Sequence, residues 1–126
     1  MWFWVGLWGF LGAISRFYVT KLWAFLFGPH FPFWTLIVNL TGSFIIWVLF
    51  GIFEYVAINP YYKSMIVTWF LGALTTFSTF ALESFFMLDR WNYHHFVLNI
   101  SLNLIWTILL AGLGFYLVKF IGKNIA

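Results

Sequence analysis

Leu71-Gly72-Ala73-Leu74-Thr75-Thr76-Phe77-Ser78-Thr79-Phe80 lies inside a hydrophobic run long enough to cross a membrane, yet four of the five residues from Thr75 to Thr79 carry hydroxyls. Ser and Thr side chains bond to nearby backbone groups and compete with the helical ladder. Hydrocarbon offers no water to a backbone amide, so a plain spanning helix has no use for such a cluster. The stretch predicts a break in a transmembrane helix, with polar backbone beside a pathway.

The rest of the chain agrees. It is 64% hydrophobic, 26% aromatic and only 7% charged, with a mean hydropathy of +0.98, which excludes a soluble domain. A spanning helix takes about 20 apolar residues, and the 126 residues divide into four runs, 3–27, 33–57, 65–88 and 96–121. Gly28-Pro29-His30-Phe31-Pro32, Asn59-Pro60 and Asp89-Arg90-Trp91-Asn92 punctuate them as turns. The expected fold is an all-α membrane protein, one domain over residues 1–126, with four transmembrane helices. From Met65 to Leu74 a helix rises about 15 Å, half of a roughly 30 Å hydrocarbon core, so the third helix is expected to break at the bilayer midplane.

Several function classes drop out. The first run lacks a basic lead-in and a small-residue cleavage site, so it reads as a retained helix and not a signal peptide. Cysteine is absent, which removes disulfides and thiolate chemistry. The six Lys and Arg are scattered, which argues against nucleic acid as a partner. His94 and His95 with Asp89 are too thin a set for an enzyme and fit an interfacial loop better.

Charge placement bears on topology. With four spans, Lys63, Lys119 and Lys123 fall on one side, and Lys21 and Arg90 on the other, with Arg16 joining them if it reaches outward. Orientation follows the Lys/Arg excess of cytoplasmic loops, and here neither side wins. Dual topology is the expectation: copies insert both ways and pair as an antiparallel dimer.

The polar residues inside the spans are read one at a time. Gly6, Gly9, Gly12 and Ser15 form a small-residue stripe suited to close helix packing. Arg16 is a deep charge, which is costly and calls for a partner or a role such as drawing anions into a vestibule. Glu83 suits a pore mouth or a partner for Arg16, whereas Glu54 and Lys21 lie near span ends and read as structural. Asn39, near mid-membrane, suits an interhelical hydrogen bond. Asn99, Asn103 and Thr107 recur at intervals of four and share a face, the pattern of a polar track. Carbonyls freed at a midplane break, supplied twice over by an antiparallel pair, suit a small hard cation. Phe77 and Phe80 project to one side if helical, and ring edges attract anions. With 18 Phe in the chain, that pair alone is a weak sign.

Taken in order, Gly12-Ala13-Ile14-Ser15-Arg16-Phe17, Thr35 to Ser43, and Gly72 to Phe80 followed by Glu83 resemble the small Fluc (CrcB) fluoride channels over nearly the whole chain. The resemblance implies a fluoride-selective channel of the bacterial inner membrane that exports fluoride passively and lowers its toxicity. It implies an antiparallel homodimer, in preference to a heterodimer with a paralogue, with two pores and a structural sodium ion on the carbonyls of Gly72 and Thr75. It further implies that Phe77 and Phe80 line the fluoride pore with Asn39, Ser78 and Thr79 beside them. Asn99, Asn103 and Thr107 would be its polar track, and Arg16 and Glu83 would stand at its vestibule or mouth. Ala73 stands where the family usually has Gly, and the track carries Asn where Tyr or Ser is frequent. A small multidrug transporter, also four-helical, needs a carboxylate in the first span, where this chain has Arg16.

Overall fold

The computed structural model describes residues 1–28 and 31–125; Pro29 and His30 of the first turn cluster lie outside the described residues. Four helical stretches are long and apolar enough to cross a membrane: Trp2–Phe27, Phe33–Tyr55, Pro60–Asp89 and Tyr93–Lys123. The described residues contain no strand.

The third and fourth spans begin earlier than expected, at Pro60 and Tyr93 instead of 65 and 96. The sequence signals read as turns are helix starts. The Asn59 side chain accepts the Tyr61 N–H at 2.9 Å, and Pro60 occupies a first-turn position where its missing N–H costs nothing. Asn92 caps the fourth span in the same way, accepting the His95 N–H at 3.4 Å. Tyr61, Tyr62 and Tyr93 on these first turns suit a membrane–water boundary.

The third span is two helices in line. Its first half runs through residues 60–74, as an α turn Pro60–Ser64, a π-helical stretch Met65–Leu71 and a last α turn Gly72–Leu74. Thr75 (φ −75°, ψ 158°) and Thr76 (φ −150°, ψ 114°) are extended, and the second half is the α-helix Phe77–Asp89. The halves rise about 22 and 20 Å at 1.5 Å per residue, so the earlier start leaves the break near the middle of the span. Thr76 caps the second half, its Oγ1 accepting the Thr79 N–H at 3.3 Å and donating to Thr79 Oγ1 at 3.0 Å. The hydroxyls that weaken a continuous helix thus start a new one.

Two glycines set how close the neighbours come. The first span packs on the leading half of the third, where Gly12 is buried and a Cβ would collide with the Phe70 carbonyl oxygen and touch Ala73 Cβ. The expected small-residue stripe narrows to this point: a Cβ at Gly6 would meet nothing within 4 Å, and Ser15 donates back to the Leu11 carbonyl at 2.8 Å. The second span packs against the later part of the fourth, and at Gly42 a Cβ would collide with the Thr75 methyl. At the far end of these two spans Lys119 pairs with Glu54 at 3.3 Å, a half-exposed pair of modest value.

Gly12→Ala is expected to lower the stability of the detergent-solubilised protein by about 1–3 kcal/mol, the usual cost of overpacking, while Gly6→Ala leaves it unchanged. Thermal unfolding of the two variants beside the parent checks this; equal melting temperatures for all three would remove the close contact.

Candidate functional site

Breaking a helix at Thr75 and Thr76 releases backbone groups that must find partners. Thr76 finds both in one side chain: its N–H donates to Asn39 Oδ1 at 2.9 Å, and its carbonyl accepts from Asn39 Nδ2 at 3.2 Å. An amide side chain is the one neutral group that mimics a peptide unit at both ends. Asn39 makes the interhelical hydrogen bond expected of it, to the backbone of the break on the third span and to Asn103 on the fourth. Thr75 folds back instead, sending both its N–H and its Oγ1 to the Leu71 carbonyl at 3.0 Å. Its own carbonyl accepts from Arg16 Nη1 at 3.3 Å.

The fourth span supports Asn39 from behind. Asn39 Nδ2 also donates to Asn103 Oδ1 at 2.9 Å, and Asn103 Nδ2 donates to Asn99 Oδ1 at 2.9 Å and to the Asn99 carbonyl at 3.1 Å. Asn99 Nδ2 then donates to Ser84 Oγ at 3.0 Å, and Ser84 donates to the Phe80 carbonyl at 2.8 Å. The spacing of four does bring Asn99 and Asn103 onto one face, but both are buried and face each other. A π-helical stretch, Ser101–Trp106, lies between Asn99 and Thr107. A spacing of four drifts by about 40° per step in an α-helix, and the wider π turn reverses part of that drift. Thr107 Oγ1 donates to the carbonyls of Asn103 and Leu104 in that stretch. Ser84 was missed in the sequence; its signal was its place four residues after Phe80, where a serine hydroxyl reaches back to a helical carbonyl.

Three cavities follow one another along this polar line. The first, about 240 Å³, is lined by Asn39, Thr75, Thr76, Phe77, Phe80 and Asn103 among others. Phe77 and Phe80 have ring centroids 5.4 Å apart at 56°, yet Phe77 is 72% exposed and Phe80 only 5%. The second, about 280 Å³, is lined by Arg16, Thr20, Trp34, Thr35, Thr76 and Thr79 among others, so Thr76 borders both. The third, about 210 Å³, shares Trp34 with the second and adds Glu83, Arg90 and Asn92. Ser78 stays at the break, its Oγ 3.3 Å from that of Thr76.

Glu83 is not the partner of Arg16. Its Oε1 accepts from Trp34 Nε1 at 2.9 Å and from Thr35 Oγ1 at 2.7 Å, while Oε2 is buried with no partner among the described residues. Trp34 and Thr35 are site residues that the sequence reading did not single out. Thr35 precedes Asn39 by four and so shares its face. Chemically, the line offers amide, hydroxyl and guanidinium donors and aromatic edges, a set suited to holding an anion. Among the described residues no group of three His, Cys, Asp or Glu could hold a metal ion.

Asn39→Leu leaves the Thr76 N–H and carbonyl without their partner, at about 1–3 kcal/mol for each buried group. The expected outcome is a melting temperature lowered by several degrees in detergent, against little change for a substitution at the half-exposed Glu54. A parent-like melting curve for Asn39→Leu would contradict the clamp.

Residues 3–115 match the model of the family described as CrcB-like protein, Camphor Resistance (CrcB). A fluoride-specific ion channel FluC from a Nitratiruptor species is 51% identical over 104 residues, covering 82% of this chain and 80% of that protein. One from Campylobacter lari is 42% identical over 115 residues, covering 91% and 94%. A third, from Nautilia profundicola, is 46% identical over 112 residues, covering 88% of each.

Proposed function

The chain belongs to the CrcB family, and from that membership we propose that it is a fluoride-selective channel, not an enzyme, through which fluoride leaves the cell passively. One observation carries the reading at the level of chemistry. Amide and hydroxyl side chains and two aromatic rings line the cavity at a mid-membrane helix break, where an anion that must shed water needs replacements for it. A negative interior of 100 mV is worth about 2.3 kcal/mol per charge, roughly a fifty-fold concentration ratio, so outward flow of an anion needs no fuel.

The finer assignments rest on the same cavities. Phe77, Phe80, Asn39 and Thr79 are proposed to line the fluoride path, with Arg16 drawing anions into the second cavity and Glu83 bordering the third; Ser78 joins them through its contact with the Thr76 hydroxyl. Phe77 is 72% exposed beside an open cavity, which supports a path completed by a second copy. The near balance of Lys and Arg on the two sides supports an antiparallel arrangement, and the presence of both Phe positions supports a homodimer over a pair with a paralogue. The relatives are bacterial, which supports the inner membrane as its place.

Sodium is the proposed brace between copies. The Thr76 N–H that would otherwise bond the Gly72 carbonyl is taken by Asn39, and the Thr75 carbonyl sits on the extended segment with a second lone pair beside its Arg16 contact. Hard carbonyl oxygens of this kind fit an alkali cation. The Gly72 and Thr75 carbonyls of both copies would hold it; when bound, the ion supplies positive charge that ties the two breaks together.

Reconstituted in liposomes, the protein is expected to release fluoride rapidly and chloride negligibly, with Phe80→Ile or Asn39→Asp cutting fluoride efflux severely; equal halide rates would refute the channel assignment. In cells, a C-terminal tag is expected to be reachable from both membrane faces in comparable amounts. Labelling from one face alone would overturn the antiparallel pair.

A further inference from the structure

The orientation of every amide between Thr76 and Phe80 is dictated by the backbone at the two ends. A peptide N–H can only donate, so Asn39 must turn Oδ1 to Thr76 and its two N–H groups to the Thr76 carbonyl and Asn103. Asn103 must then offer Oδ1 to Asn39 and its own N–H groups to Asn99. At the other end the Phe80 carbonyl can only accept, so Ser84 donates to it and receives from Asn99. The result is a one-way relay whose two ends lie four residues apart on the third span. Both N–H groups of Asn39 are engaged inside the protein.

An anion in the cavity bordered by Asn39, Phe77, Phe80 and Asn103 therefore meets no free amide proton from Asn39. For Asn39 to donate to the anion, one of the two bonds has to open. The bond to the Thr76 carbonyl is half of the clamp on the break, whereas the bond to Asn103 Oδ1 is made to a side chain and can open without releasing the clamp. We propose that Asn103 is an affinity-setting residue: its Oδ1 is an internal acceptor that holds the Asn39 donor against fluoride and yields it when the anion arrives. Asn103 acts through Asn39 and is a positioning residue. Once the anion leaves, the pull of Asn99 on the Asn103 N–H groups returns the oxygen to Asn39. This inference rests on the fluoride-channel reading and adds to it a residue that weakens binding so that the ion is released.

The test measures fluoride efflux from liposomes across fluoride concentrations for the parent, Asn103→Ala and Asn103→Asp. Removing the acceptor in Asn103→Ala is expected to lower the half-saturating fluoride concentration about tenfold, the equivalent of ~1.4 kcal/mol. Asn103→Asp, which keeps a stronger acceptor and loses the donation to Asn99, is expected to raise that concentration or abolish flux. A merely structural role predicts the opposite for Asn103→Ala, weaker binding along with lower stability. A half-saturating concentration for Asn103→Ala equal to or above the parent's overturns the inference. If the alanine variant does not fold, amide resonances of the parent in detergent decide: fluoride, but not chloride, is expected to shift the side-chain amides of Asn39 and Asn103. No shift of Asn103 at saturating fluoride overturns the inference. Absence of fluoride efflux from the parent would instead overturn the channel reading itself.

Discussion

A peptide group in the middle of a hydrocarbon slab has to find its hydrogen-bond partners within the protein, and at Thr76 both the N–H and the carbonyl find the side-chain amide of Asn39. Much else follows from that two-point contact. The second span must carry Asn39 to the break, and Gly42, whose Cβ would collide with the Thr75 methyl, lets it come close enough. Asn39 must be held in one orientation, and Asn103, Asn99 and Ser84 hold it. The first span presses on the other side, through Gly12 against the Phe70 carbonyl and Arg16 on the carbonyl of Thr75.

The same constraint makes the chain suited to an anion. A broken helix usually exposes carbonyl oxygens as well as N–H groups, and oxygens repel anions. Here the Leu71, Thr75, Thr76 and Phe80 carbonyls each accept from a side chain, so they are occupied by donors at the place where a donor set is wanted. Arg16 reaches the break from behind, on the Thr75 carbonyl, and lines the second cavity, while Arg90 and Glu83 line the third. A fixed charge in a low-dielectric site binds its counter-ion strongly, and conduction requires that the ion also leave. The first cavity is lined by amides, hydroxyls and rings with no charged side chain among its lining residues, which meets both needs.

The four-helix membrane fold was legible in composition and in the length of the apolar runs, and the break was legible in Thr75-Thr76-Phe77-Ser78-Thr79, because hydroxyls that bond backbone are local chemistry. Helix starts at Pro60 and Tyr93 were misplaced, because Asn followed by an aromatic turn reads as a loop until its side chain is seen capping. The partners of each polar residue were the least legible part. Asn99, Asn103 and Thr107 share a face by spacing, yet spacing does not say whether that face meets water or another amide. Glu83 and Arg16 were natural candidates to pair by charge, but Trp34 and Thr35 reach Glu83 first. Ser84 carried too ordinary a residue type to stand out.

The most direct test of this account is hydrogen exchange at the Thr76 backbone amide in the reconstituted protein. A Thr76 N–H clamped by Asn39 is expected to exchange slowly, on a par with amides in the interior of the helix Phe77–Asp89, and to exchange fast in Asn39→Leu. Fast exchange in the parent, or slow exchange that survives the loss of Asn39, would contradict it.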